Sequence, residues 1–168
     1  MHNKVTNIVQ NLERNDNMNG FIQSTINTPL TLASNSSAIT FQHDRRTRST
    51  QGCDGWLCHG EGSPVYKLVK SGNYKTTFTA TVYSATAGTV AVGLYEDGVL
   101  IPETVRNVTL SAGYLGNISI DYISKVCCKA NTSLTLASVP TLTNPADGTI
   151  VTTLTPTIIS AVLNITRL

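Results

Sequence analysis

Charge is scarce in this chain: Asp, Glu, Lys and Arg make up 13% of its 168 residues, against the roughly 25% that is usual for soluble domains. The net charge is only +2, and the one basic cluster, HDRRTRS at residues 43–49, is short. A nucleic-acid-binding surface needs a broad basic patch, so we expect no nucleic-acid partner. We interpret the cluster as a solvated strand or loop.

Long apolar segments are missing as well. No stretch approaches the ~18 consecutive apolar residues that a membrane-spanning helix requires, and the first 20 residues lack the continuous apolar core of a signal peptide. We therefore expect no membrane partner, synthesis in a cytosol and no export by the usual secretory route.

Catalytic signatures are also lacking. There are three histidines, at positions 2, 43 and 59, and no Gly-x-Ser-x-Gly, phosphate-binding loop or His-Glu-x-x-His motif. The most site-like local set is His59 with Glu61 near Trp56, which we interpret as an ordinary polar loop. The sequence predicts no enzyme, no cofactor and no metal.

Cysteine is rare, with four residues at positions 53, 58, 127 and 128. Cys53 and Cys58 followed by His59 could begin a zinc site that Cys127 or Cys128 completes. Adjacent cysteines on a strand point to opposite faces, however, which disfavours a shared metal. Disulfides are not expected to form during assembly in a reducing cytoplasm, although they could form later. Buried free thiols are the favoured interpretation, ahead of a disulfide and of zinc.

The N-terminal segment differs from the rest of the chain. Val5, Ile8, Val9 and Leu12 recur at helical spacing, and Asn3 could cap the helix. About three turns are marginal in isolation, so such a helix needs a partner surface. We predict that residues 1–30 form an arm or anchor that makes contact through those four apolar residues; a frayed tail is an equal alternative.

From residue 30 onward every pattern is typical of β-strands. Strand-like segments recur every 8–12 residues, with turn signals such as Asp97-Gly98 between them and no second helix. This spacing predicts an all-β sandwich or barrel over residues 31–168. The last segment places Ile159, Ala161, Leu163 and Ile165 on one face, and an apolar terminal strand of this kind is expected in the middle of a sheet.

The segment GNYKTTFTATVY, residues 72–83, alternates between two faces. One face carries Tyr74, Thr76, Phe78, Ala80 and Val82. The other carries Lys75, Thr77, Thr79, Thr81 and Tyr83. A face in contact with water usually carries Lys and Glu, but this one carries mostly hydroxyls, which favours a face that is also partly covered. A solvent-exposed threonine-rich strand, which does occur in stable β proteins, is the alternative.

The order CDGWLCHGEGSPVYKLVKSGNYKTTFTATVYSATAGTVAVGLYEDGVLIPETV, followed later by ISKVCCKANTSLTL, resembles the tumour necrosis factor-like and complement-type globular heads of bacteriophage structural proteins and some spore surfaces. The resemblance spans roughly residues 50–140. It implies a ten-strand-type jelly-roll β-sandwich that assembles as a homotrimer. The first 30 residues do not match these heads.

The resemblance also implies a use for the hydroxyl-rich face, because such trimers bury one sheet on both sides. Thr and Tyr favour strands and can form hydrogen bonds between chains. The residues predicted for the trimer interface are Tyr74, Thr77, Thr79, Tyr83, Tyr95 and Tyr122. The implied function is that of a structural virion protein, a capsid decoration or head-fibre protein whose partner is the major capsid protein or another virion protein. The expected location is the virion surface.

An alternative function is an adhesin module of a phage fibre or spore surface that binds a host-surface glycan. Its predicted ligand loop contains Trp56, His59 and Tyr114, since an exposed Trp beside polar loops is a common platform for sugars. The spore-surface version is disfavoured because the chain has no collagen-like repeats.

Overall fold

The computed structural model describes residues 20–46, 52–53, 55–127 and 131–168. The predicted anchor residues Val5, Ile8, Val9 and Leu12 lie outside these ranges. Within them the chain forms two large antiparallel sheets and one small two-stranded sheet. The all-β prediction is confirmed.

Fifteen strands make up the sheets in the described part of the chain. In chain order they are β1 (Phe21–Ile26), β2 (Leu30–Thr31), β3 (His43–Arg46), β4 (Gly52–Cys53), β5 (Leu57–His59), β6 (Val65–Leu68), β7 (Gly72–Tyr83), β8 (Gly88–Glu96), β9 (Val99–Leu100), β10 (Arg106–Leu110), β11 (Leu115–Val126), β12 (Thr132–Ser138), β13 (Thr141–Thr143), β14 (Ile150–Thr152) and β15 (Thr157–Arg167). A 3-10 turn, Pro102–Thr104, lies between β9 and β10.

The two large sheets have simple orders. The first sheet runs β11-β7-β15-β1-β3, with β2 paired to β15. The second sheet runs β10-β8-β12-β6-β5-β4, with β9 paired to β8. The small sheet pairs β13 with β14.

One apolar core lies between the two large sheets. Tyr74, Phe78 and Val82 of β7 are fully buried, as are Val90 and Val92 of β8, and all belong to one apolar cluster. Successive residues of a strand face opposite sides, so every second side chain enters the core. Burial of each large apolar side chain contributes roughly 1.5–3 kcal/mol. The alternation predicted for residues 72–83 is confirmed.

The C-terminal strand β15 lies in the middle of the first sheet, between β7 and β1, as predicted. The prediction of which β15 side chains share the buried face is wrong at one residue, Ile159. The register shifts between Ile158 and Ser160, so the buried side chains are those of Ile158, Ala161, Leu163 and Ile165, whereas Ile159 is only half-buried. A bulge inserts one extra residue and reverses the alternation on one side of it.

The boundary between arm and head differs from the predicted one at residue 30. Phe21–Ile26 forms β1, which pairs with β15 on one side and β3 on the other. Its inward side chains, Ile22 and Ile26, are fully buried in the core. The strand is therefore part of the head, and an arm can consist only of residues before Gly20.

The predicted turn at Asp97-Gly98 joins β8 to β9, where Glu96 pairs with Val99. Both central residues have positive φ, 51° for Asp97 and 80° for Gly98. This is the geometry of a two-residue turn that matches the twist of the flanking strands, and it favours Asp-Gly.

Candidate assembly surface

The side of the first sheet that points away from the core, here called the outer face, is built from the residues that alternate with the buried ones. Two rows across the sheet show its chemistry. One row is Ser119, Thr79, Val162, Thr25 and His43. The neighbouring row is Asp121, Thr77, Asn164, Gln23 and Arg45. The middle of both rows is uncharged, because the three inner strands contribute three threonines, one valine, one asparagine and one glutamine to them.

These polar side chains bond to one another along the surface. Gln23 Nε2 donates to Asn164 Oδ1 at 3.0 Å, and Asn164 Nδ2 donates to Thr77 Oγ1 at 3.3 Å. Thr81 Oγ1 donates to Asn117 Oδ1 at 3.1 Å. Since these groups already satisfy part of one another's hydrogen-bonding capacity, covering them costs less than covering isolated polar groups.

Charge on the outer face is confined to its margins. Lys75 Nζ lies 3.1 Å from Asp121 Oδ2 beside the β11 edge. At the opposite edge, β3 carries His43, whose Nδ1 lies 3.9 Å from Glu61 Oε1, and the exposed Arg45.

A shallow hollow of about 320 Å³ opens on the outer face. Its lining includes Thr79 and Thr81 of β7, Asn117 of β11, and Ser160 and Val162 of β15. The β15 bulge precedes Ser160. The side chains over β7 are short, so the surface is lowest there.

The predicted interface residues fall in three places. Thr77, Thr79 and Tyr83 lie on the outer face of β7. Tyr74 does not: it is fully buried in the core, stacks on Trp56, and its hydroxyl donates to the Lys70 carbonyl at 2.6 Å. That internal hydrogen bond removes the need for the phenol to reach water.

Tyr122 and Tyr95 also lie off the outer face. Tyr122 of β11 alternates in phase with the buried Ile120 and Ser124, and it packs half-buried against the core. Tyr95 belongs to β8 in the second sheet, and it alternates with the buried Leu94.

The three residues predicted for the ligand loop, Trp56, His59 and Tyr114, do not lie together on one exposed surface. Trp56 is 8% exposed and His59 is 3% exposed, so neither can serve as a platform for a glycan. Of the three, only Tyr114 is exposed. It directly precedes Leu115, which pairs with Tyr83 at one end of β7, whereas Trp56 stacks on Tyr74 near the other end. Tyr74 and Tyr83 are nine residues apart along the strand, roughly 30 Å.

A buried polar cluster, here called the clamp, links the two sheets. It contains Ser24 of β1, Asp44 and Arg46 of β3, and His59 of β5. Ser24 Oγ donates to Asp44 Oδ1 at 2.6 Å, and His59 Nε2 lies 3.1 Å from Asp44 Oδ2. Arg46 Nη2 lies 3.6 Å from the same carboxylate oxygen and donates to the His59 carbonyl. The His59 ring stacks on Tyr66, with 3.8 Å between centroids.

The partners of His59 fix the orientation of its ring. Nδ1 lies 2.9 Å from the Val65 carbonyl, which can only accept, so Nδ1 carries a proton. Nε2 faces the Asp44 carboxylate, 3.1 Å from Oδ2. The face of the ring stacks on Tyr66, so neighbouring groups hold the ring at both nitrogens and on one face.

The charge of Asp44 follows from the same contacts. Burial alone would raise the pKa of Asp44, but the contact with His59, the hydrogen bond from Ser24 and the positive charges of His59 and Arg46 hold that pKa below its ordinary value of 3.8. The clamp joins β1 and β3 of the first sheet to β5 of the second.

The sequence prediction missed the clamp. The cluster HDRRTRS was interpreted as solvated, yet the side chains of Asp44 and Arg46 are only 8% and 10% exposed. His59 was interpreted as part of a polar loop. The available signal was the strand alternation, which points Asp44 inward between the outward His43 and Arg45.

The favoured interpretation of the cysteines is wrong for those whose side chains the structure describes. Cys58 is disulfide-bonded, and Cys127 is a free thiol but an exposed one. No group of three or more His, Cys, Asp or Glu residues within the described ranges is arranged to hold a metal ion. None of the described helical segments has the length and apolar character to cross a membrane.

Comparison with known proteins identifies the fold. No family model matches the sequence, and no curated protein matches it. The globular domain of the zebrafish complement 1qA protein is similar, with a TM-score of 0.57, 11% identity, and coverage of 88% of this chain and 95% of that one. Murine APRIL is similar in a structure at pH 5.0 (TM-score 0.53, 8% identity, 90% and 100% coverage) and in one at pH 8.0 (0.51, 10%, 89% and 98%). The chain therefore has a jelly-roll fold like that of tumour necrosis factor and complement 1q heads, as the resemblance implied.

Proposed function

We propose that this protein is a structural virion protein, a capsid decoration or head-fibre protein, whose jelly-roll head assembles as a homotrimer through the outer face of the first sheet. The observation that carries the proposal is the uncharged middle of that face, which spans β7, β15 and β1. Permanent interfaces between subunits are depleted of charged residues in the same way.

The size of the outer face suits this role. Five strands at ~4.8 Å spacing and about ten residues at ~3.3 Å give a surface on the order of 800 Å². A stable interface of standard size buries about that area on each partner. The likeness to complement 1q and APRIL structures supports the head architecture, and the sequence resemblance supports the virion role.

The assembly is tested by placing a charge in the middle of the outer face. Thr79 is exposed in the single chain, so Thr79→Arg leaves the fold intact, but in the trimer it buries an unpaired guanidinium. We expect light scattering to give the mass of three chains for the wild type and of one chain for Thr79→Arg. The matched control is Thr109→Arg, at an exposed threonine on β10 of the second sheet, which remains a trimer. A trimeric Thr79→Arg protein would refute this use of the face.

Attachment to the particle is assigned to residues 1–19, with Val5, Ile8, Val9 and Leu12 as the apolar anchor and the major capsid protein or another virion protein as the partner. The chain enters β1 next to the end of β15, where Arg167 N–H donates to the Gly20 carbonyl at 3.1 Å. An arm therefore leaves the head at one end of the sandwich.

Deletion of residues 2–19 tests this assignment, because it leaves β1 complete. We expect the truncated protein to remain a folded trimer but to fail to co-sediment with particles that lack the protein. Co-sedimentation equal to that of the full chain would show that the anchor lies elsewhere. Of the three residues predicted for a glycan site, Trp56 and His59 are buried, and we therefore favour the structural role.

A further inference from the structure

The second sheet ends at β4, and the backbone pairing that holds this strand is sparse. β4 consists of two residues, Gly52 and Cys53, and among the described strands it pairs with β5 alone. Gly52 lies opposite His59, and Cys53 lies opposite Cys58. Two paired residues are a weak attachment for a strand at the edge of a sheet, so a covalent link at this place has a large effect on local stability.

The backbone register indicates which cysteine is bonded to Cys58. Cys58 is disulfide-bonded, and its side chain is half-buried. Residues directly opposite each other in an antiparallel pair have Cα atoms about 4.5–5.5 Å apart. A disulfide requires Cα atoms about 4.4–6.8 Å apart, so the register alone places Cys53 within bonding range. Cys127 is a free thiol, and Cys128 lies outside the described residues.

The segment from Cys53 to Cys58, here called the 53–58 loop, carries Trp56, the single tryptophan of the chain. The Trp56 indole stacks on the Tyr74 ring with 5.7 Å between the centroids. The Trp56 carbonyl accepts a hydrogen bond from the Val69 N–H at 2.9 Å. The loop is therefore packed against the beginning of β7.

The same indole covers the residue at which the chain enters the head. A Cβ atom at Gly20 would lie 2.7 Å from Trp56 Cε2, which is closer than side chains approach a Cβ atom in folded proteins. The Gly20 carbonyl accepts a hydrogen bond from the Arg167 N–H at 3.1 Å. The junction between residues 1–19 and β1 thus lies directly beside Trp56.

We propose that Cys53 and Cys58 form a redox-dependent disulfide, open in a reducing cytoplasm and closed after release from the cell, that holds Trp56 against Gly20 and Tyr74. Thiol pools keep cysteines reduced in the cytoplasm. The oxidant is a low-molecular-weight disulfide such as oxidised glutathione. One cysteine thiolate attacks it and releases one glutathione thiol, and the second cysteine then displaces the other glutathione, so two thiols are oxidised and one disulfide is reduced.

Peptide mapping tests the pairing. Trypsin cleaves after Arg48 and Lys67, so one peptide, residues 49–67, contains both Cys53 and Cys58, whereas residues 126–129 contain the other two cysteines. The wild type is made in a bacterial cytoplasm and lysed with N-ethylmaleimide, and a second sample is incubated with oxidised glutathione before the thiols are blocked. We expect peptide 49–67 to carry two maleimide groups in the first sample. In the second it should be lighter than the dithiol peptide by two hydrogen atoms.

The other outcomes of the mapping contradict the proposal. A link from peptide 49–67 to residues 126–129 or to a second copy of itself would overturn the pairing, as would two free thiols after oxidation. A disulfide already present in the blocked lysate would overturn the redox dependence.

The emission of Trp56 tests what the disulfide holds in place, because no other tryptophan contributes to it. We expect the oxidised wild type to emit at a shorter wavelength, and to be quenched less by acrylamide, than the wild type reduced with dithiothreitol. Cys53→Ser should match the reduced wild type under both conditions. Cys127→Ser is the matched control, since it alters an exposed free thiol and should respond to oxidation as the wild type does. Far-ultraviolet circular dichroism checks that every sample is folded.

Equal emission and equal quenching in the oxidised and reduced wild type would overturn the hold on Trp56. Closure of a six-residue loop also restricts the unfolded chain, so the unfolding constant in urea should be about 40-fold smaller for the oxidised protein. The pairing and the hold on Trp56 do not depend on the proposed function, whereas release from the cell does. A trimer without this disulfide would overturn the inference alone, and a monomer with it would overturn the proposed function alone.

Discussion

At the scale of single residues, Asp44 has the densest set of partners. It accepts a hydrogen bond from Ser24, lies 3.1 Å from His59 Nε2 and is 3.6 Å from Arg46 Nη2. Removal of one member of a buried ion pair leaves the other charges without compensation, which is far more costly than the loss of a surface pair. The packing of the two sheets is therefore stabilised by the charged groups of the clamp as well as by the apolar core.

The Asp44→Ala substitution tests the clamp. We expect the free energy of unfolding at pH 7 to fall by about 3–5 kcal/mol. Because the pKa of Asp44 is lower in the folded protein than in the unfolded chain, its stabilisation is complete above the unfolded pKa of about 3.9 and is lost as the pH falls through the folded pKa. Urea unfolding of both proteins in steps from pH 7 to pH 3 should show the difference narrowing below about pH 4.

The control for that series is Glu61→Ala, which removes an exposed carboxylate 3.9 Å from His43. Its effect should stay within about 1 kcal/mol. A loss in Asp44→Ala that is as small as this, or one that does not change with pH, would contradict the ionised clamp.

Residue alternation could be predicted from the sequence, but the clamp could not. The pattern of residues 72–83 assigned Thr77 and Thr79 to one face and Phe78 to the other, because strand geometry alone determines this. Ser24, Asp44 and His59 are separated by 20 and 15 positions in the chain, and only the packing of two sheets brings them together. Tyr74 was misassigned because its hydroxyl partner, the Lys70 carbonyl, comes from a turn of the backbone.

At the scale of strands, β15 and β1 hold the first sheet together. β15 pairs with β7 over most of its length and with β1 on its other side. The central position of β15 was predictable from its apolar pattern. The position of β1 was not predicted, because the polar residues of FIQSTI alternate with only two large inward side chains, Ile22 and Ile26.

Removal of residues 163–168 should therefore prevent folding. The deletion eliminates buried Leu163 and Ile165 and the ladder to both neighbouring strands. Loss of two such side chains costs about 4–10 kcal/mol, comparable to the entire stability of about 5–15 kcal/mol. We expect circular dichroism to show no cooperative thermal transition. A chain that lacks only the exposed Leu168 is the control and should retain a transition; cooperative unfolding of the longer deletion would contradict the central role of β15.

At the scale of the whole molecule, the described residues form a sandwich whose two outer sides differ. The outer face of the first sheet has an uncharged middle and a hollow. Part of the second sheet's outer side is already covered: a Cβ atom at Gly93 would lie 2.7 Å from the Leu100 side chain and 3.2 Å from that of Val139. In the proposed assembly the first sheet offers this face to the partner, which would account for threonines in place of the charges of an ordinary exposed strand.

The central claim is that this surface joins three copies of the chain. It is tested most directly by light scattering on the purified wild-type protein at micromolar concentration. The account predicts a mass near three times the chain mass of 18.0 kDa. A mass near 18.0 kDa would contradict it, because the uncharged outer face would then remain exposed to water in the working protein.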